Sequence, residues 1–106
     1  MENAPSLLDC LRREAQRLVE LREYPWPLPG GEDALHEATA QGARLLLQAE
    51  GEEAREYGAT AMRMLLAAEE AAKEGKEERR KELLMAARTV VLVGIFETFG
   101  PPGARS

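Results

Sequence analysis

Apolar residues first recur at helical spacing between Leu7 and Val19, where Leu7, Leu8, Leu11, Ala15, Leu18 and Val19 gather on one face of a helix turning about 100° per residue. Ser6, followed three residues on by Asp9, imitates a capping box with Asp in place of Glu. The pattern predicts a first helix over 6–24. Its apolar arc is interrupted at Arg22, and Pro25-Trp26-Pro27-Leu28-Pro29-Gly30-Gly31 then removes backbone donors and fixes extended dihedrals, so 25–31 reads as the one linker.

Leu35, Ala38, Gly42, Leu45 and Ala49 follow at alternating spacings of three and four, predicting a second helix over 33–50 with Glu32 or Asp33 as its N-cap. A further seam, Ala54, Tyr57, Ala61, Met64, Ala68 and Ala71, keeps the same spacing but begins five residues after Ala49, with Gly51 at the slip. That break in phase favours a separate third helix over 52–74, and one long helix kinked at Gly51 is the alternative. Gly75 closes this stretch, Glu77 and Glu78 open a fourth helix over 77–99 with anions at its positive end, and Gly100-Pro101-Pro102 stops it. The expected fold is all-α, an antiparallel bundle of about four helices forming a single domain over 6–99. Short flexible ends are expected at 1–5 and 100–106.

The segment Thr89-Val90-Val91-Leu92-Val93-Gly94-Ile95-Phe96 departs from the one-sided pattern, being apolar all round. A helix of that kind has to be surrounded. In a four-helix monomer one side normally faces water, so the spare apolar face predicts self-association through Val91, Leu92, Ile95, Phe96 and Phe99. The competing reading makes this the central helix of an irregular bundle.

Composition strengthens the case for oligomerisation. Of the 44% hydrophobic residues 17 are Ala, with only two Phe, two Tyr and one Trp, so the core is poor in bulk. At roughly 25 cal/mol per Å² of buried apolar area, 106 such residues make a marginal core that usually needs a staple or a partner. A single cysteine provides no disulfide, and together with an opening Met-Glu-Asn-Ala-Pro that lacks a signal-peptide pattern it predicts a cytoplasmic location. The eight residues from Thr89 to Phe96 fall far short of the roughly 20 that cross a bilayer, so no membrane is expected. Few amides among abundant Glu and Arg would suit a thermophile, and a GC-rich genome would enrich Ala and Arg equally well.

Net charge is −5, with 17 Glu interspersed among 11 Arg, which argues against a nucleic-acid face. The basic clusters Arg12, Arg13, Arg17 and Arg79, Arg80, Lys81 are flanked by Glu and read as salt-bridging groups. His36 has Ala40 where a second metal ligand would stand, and reads as a plain surface histidine. Cys10 reads as a buried or half-buried thiol. Trp26 and Leu28 on the Pro-rich stretch are candidate partner contacts, with Trp26 folding back over an open bundle end as the structural alternative. Small inner residues such as Gly42, Gly94 and Ala61 imply close packing, with no cofactor cavity.

Glu53 and Glu56 are the sole candidate metal ligands. Gly51-Glu52-Glu53-Ala54-Arg55-Glu56 resembles the first carboxylate element of the all-α nucleoside triphosphate pyrophosphohydrolases, and that resemblance implies magnesium held by Glu53 and Glu56 with a second carboxylate pair on the next helix. The chain departs from the family there, since Met85 stands three residues after Glu82 and Lys81 three after Glu78. The leading expectation is therefore a non-enzymatic helical interaction module that self-associates and presents an acidic surface to a protein partner. A divergent magnesium-dependent nucleotide hydrolase is the alternative, and a helical subunit of a nucleoprotein complex the third.

Overall fold

The computed structural model describes residues 6–23 and 31–101, apart from the side chain of Glu32. Among these residues there are four helices and no strand: α1 (Leu7–Val19), α2 (Gly31–Gln48), α3 (Glu52–Lys73) and α4 (Glu77–Phe99). Trp26, Leu28 and the two chain ends, 1–5 and 102–106, lie outside the described residues.

Local chemistry explains the boundaries. The Asp9 amide donates to the Ser6 hydroxyl at 3.1 Å, satisfying one of the orphan donors at the start of α1. α1 then ends at Val19, short of Tyr24, because Leu21 points into solvent at 59% exposure and Arg22 takes a left-handed φ of 59°, so neither apolar burial nor helical backbone carries the pattern further. The phase slip between the second and third seams is a full break. Gly51 adopts a φ of 117°, which a residue bearing a Cβ rarely adopts, and α3 starts immediately after it.

α4 lies against all three other helices, most extensively against α3, while α1 and α2 scarcely meet. This position accounts for the burial of Leu84, Ala87, Val91, Leu92 and Ile95, while other apolar residues of α4 stay half-buried. Two groups of buried side chains fill the interior. One gathers Leu11, Leu46, Val91, Leu92 and Ile95 with several alanines, and the second is thinner, centred on Leu35, Leu65 and Leu84. Close approach between helices depends on glycine at three places. A Cβ on Gly42 of α2 would come 2.6 Å from Val91 Cγ1 on α4. A Cβ on Gly58 would come 2.8 Å from the Ala43 carbonyl oxygen on α2, and one on Gly94 would come 2.8 Å from Tyr57 Cβ on α3. Both are well inside van der Waals contact, so the α2–α3 and α3–α4 spacings require hydrogen at these positions.

A charged pair is embedded in this interior. Arg88 is only 2% exposed, facing α1, where its guanidinium donates to the Glu14 carboxylate. Arg12 of α1 donates to the Gly100 carbonyl at 3.2 Å and the Pro101 carbonyl at 2.7 Å, tying α1 to the two residues that follow α4.

Candidate functional site

Gly94 has no side chain, so Tyr57 packs closely on α4, and it also lines an open groove of about 530 Å³ between the first half of α3 and the last turns of α4. That volume lies within the range of small-molecule and side-chain sites, roughly 300–1,000 Å³. Glu53, Glu56, Tyr57 and Thr60 line it from α3, Val90 and Glu97 from α4. The floor is half-buried and largely apolar, formed by Tyr57, Thr60 and Val90, whereas the three glutamates stand exposed.

None of these three carboxylates makes a hydrogen bond or ion pair with a described residue. That contrasts with charges elsewhere on the surface, where Arg17 meets Glu23 at 3.0 Å and Arg80 meets Glu77 at 3.2 Å. Glu53 sits in the first turn of α3, where the helix dipole favours an anion, but Glu97 sits in the last turn of α4, where the exposed carbonyls already carry negative charge. The groove is therefore a concave, uncompensated negative surface over an aromatic and apolar floor. Such a surface attracts a cation that carries an apolar stem, as Arg and Lys do.

Glu53 and Glu56, the carboxylates that the sequence singles out, do stand together in the structure, and Glu97 joins them from the neighbouring helix. Among the described residues, however, no three His, Cys, Asp or Glu side chains are grouped closely enough to hold a metal ion. The glutamates act on the groove as a spread charge rather than as one coordination sphere.

The expected interface residues fall mainly on the inside. Val91, Leu92 and Ile95 are 0% exposed in a single chain, because α1, α2 and α3 cover that side of α4. Phe96 and Phe99 are half-buried and pack on the same core. Beside Phe96 and Phe99, α4 also leaves Leu83, Ala86, Val90 and Val93 half-buried, on a different side of the helix. Sequence reasoning missed this stripe because in an all-apolar run no position announces which side will be covered. Glu97 was missed for a related reason, being the lone carboxylate in a segment read for its hydrophobicity.

His36 lies at 3.5 Å from the Glu69 carboxylate across α2 and α3, 30% exposed, as part of the bundle surface. Cys10 is exposed, a correction to its expected burial: it precedes Leu11 by one position and so is turned about 100° away from the inward stripe. No helix among the described residues is long and apolar enough to cross a membrane. Compared with protein-family models, curated proteins and solved structures, the chain matches none of them.

Proposed function

We propose that this chain is a non-enzymatic helical interaction module and that the groove between α3 and α4 receives a basic side chain of a protein partner. One observation carries the reading: three exposed glutamates, Glu53, Glu56 and Glu97, surround an apolar and aromatic floor and are compensated by no described residue. A net charge of −5 adds a long-range attraction for a cationic partner, felt within about 8 Å of the surface at physiological salt.

A titration of the chain with Nα-acetyl-arginine amide, followed by backbone amide resonances, tests the reading. Shifts confined to residues 53–60 and 90–97, lost in Glu56→Gln with Glu97→Gln, are expected. Shifts spread over the whole acidic surface, or none, would overturn it.

A further inference from the structure

We infer that the partner of this groove is a second copy of the chain, docked antiparallel along α4. The inference rests on the groove reading and names the molecule that supplies the cation.

One partly accessible side of α4 carries Arg79, Leu83, Ala86, Val90, Val93 and Glu97, at successive spacings of four, three, four, three and four. That spacing keeps a single seam facing a single neighbouring helix. Arg79 and Glu97 are exposed and the four residues between them half-buried. The seam has a further property: reversed end for end about the level of Arg88, it places apolar on apolar and opposite charges on each other. Arg79 meets Glu97, Leu83 meets Val93, and Ala86 meets Val90, in each case with the residue of the other copy. A two-fold axis generates every one of these pairs twice, as a self-complementary dimer interface requires. Parallel docking would instead set Arg79 against Arg79 and Glu97 against Glu97, which is repulsive.

Two further observations favour this occupant. The Arg79 guanidinium, like the Glu97 carboxylate, makes no hydrogen bond or ion pair with a described residue. Both charges are also placed unfavourably for their own helix, a cation in the first turn of α4 and an anion in the last, and an antiparallel neighbour offsets both. Arg79 and Glu97 are about 27 Å apart along the axis at 1.5 Å per residue, so one docking event seats an arginine in each of the two grooves. There it faces Glu53 and Glu56 as well as Glu97. A face of one or two helices of this length lies at the lower end of specific interfaces, which bury roughly 1,200–2,000 Å² in total. The dimer is accordingly weak, concentration-dependent and sensitive to salt.

Sedimentation equilibrium over a wide concentration range tests the proposal on the whole chain. The wild type is expected to pass from monomer to dimer as concentration rises. Arg79→Glu, on an exposed position and with an unchanged helical spectrum, is expected to weaken association about tenfold or more by facing Glu97 with a like charge. The double variant Arg79→Glu with Glu97→Arg restores the antiparallel pair and is expected to dimerise again, whereas a parallel dimer would stay repelled. A wild type that remains monomeric, a dimer indifferent to Arg79→Glu, or a double variant that fails to recover each overturns the antiparallel dimer. The groove reading is judged separately on Arg79→Glu, whose groove is empty in either case. Shifts there with Nα-acetyl-arginine amide, beside a monomeric wild type, overturn self-docking and retain a cation-accepting groove. No shifts beside a monomer overturn both.

Discussion

The two flanks of α4 treat charge in opposite ways. Toward α1, Arg88 and Glu14 are brought together inside the protein, and Arg12 reaches the carbonyls of Gly100 and Pro101 just past α4, so the cations on this flank are spent on holding the fold. Toward α3, Glu53, Glu56 and Glu97 surround a groove and meet no described partner, and Arg79 at the other end of the helix is left in the same condition. One helix thus has a flank whose electrostatics are closed within the chain and another whose electrostatics are open to the outside. On the closed flank a lost charge strands its partner in a water-poor interior, and stability suffers. On the open flank a lost charge relieves repulsion, and only association can notice it.

The largest break in that contrast comes from the closed flank. Glu14→Ala leaves Arg88 buried without its carboxylate, and removing one partner of a buried pair typically costs about 3–5 kcal/mol; the partial exposure of Glu14 places this one near the lower bound. Urea denaturation is the measurement, read as a fall in midpoint with an unchanged slope. Replacing both members with apolar residues, Glu14→Leu with Arg88→Met, is expected to recover most of the loss, because the pair's desolvation cost disappears with it. If the double variant were as unstable as the single one, the pair would matter for its shape rather than its charge.

A smaller effect is expected where α3 and α4 are held together. Gly94→Ala places a methyl group 2.8 Å from Tyr57 Cβ and 2.9 Å from Leu46 Cδ1, so the helices must part, at about 1–3 kcal/mol, offset by up to about 1 kcal/mol of better helix propensity. Because the Tyr57 floor moves with α3, the same variant is expected to weaken cation binding at the groove more than its stability loss alone suggests. Smaller again is Arg12→Met, which removes two charge-assisted hydrogen bonds at a partly exposed site, about 1 kcal/mol, and is expected to speed amide exchange in the last turn of α4.

Much of the bundle was legible because it rests on local signals. Gly51 and Gly75 mark the breaks, Ser6 the first cap, and the 3–4 spacings the inward faces. Helix α1 stops early where Leu21, although apolar, is 59% exposed, and a list of hydrophobic positions carries no information about what faces them. The same limit operated on α4. Val90, Val91 and Val93 are the same residue type, so hydrophobicity alone does not say which is covered; the bundle buries Val91 with Leu92 and Ile95 and leaves Val90 and Val93 half-buried. Of the candidate site, Glu53 and Glu56 were readable from their spacing on one helix. Glu97 was not, since its place beside them depends on how α4 packs against α3, between residues far apart in sequence.

The smallest stability effect is expected on the open flank, and it separates the two flanks most sharply. Glu53→Gln, Glu56→Gln and Glu97→Gln each remove a negative charge that has no described partner, so each is expected to change stability by no more than about 0.5 kcal/mol. Glu97→Gln is expected to be neutral or slightly stabilising, since an anion in the last turn opposes the helix dipole by a few tenths of a kcal/mol. Combined, the three substitutions should therefore leave the denaturation curve nearly in place while removing the response to Nα-acetyl-arginine amide. Magnesium sharpens the distinction. A spread charge that offers no grouped metal ligands is expected to give a titration without a saturable step, whereas a saturable site lost in Glu53→Gln would turn the groove from a docking surface into a coordination site and favour nucleotide chemistry.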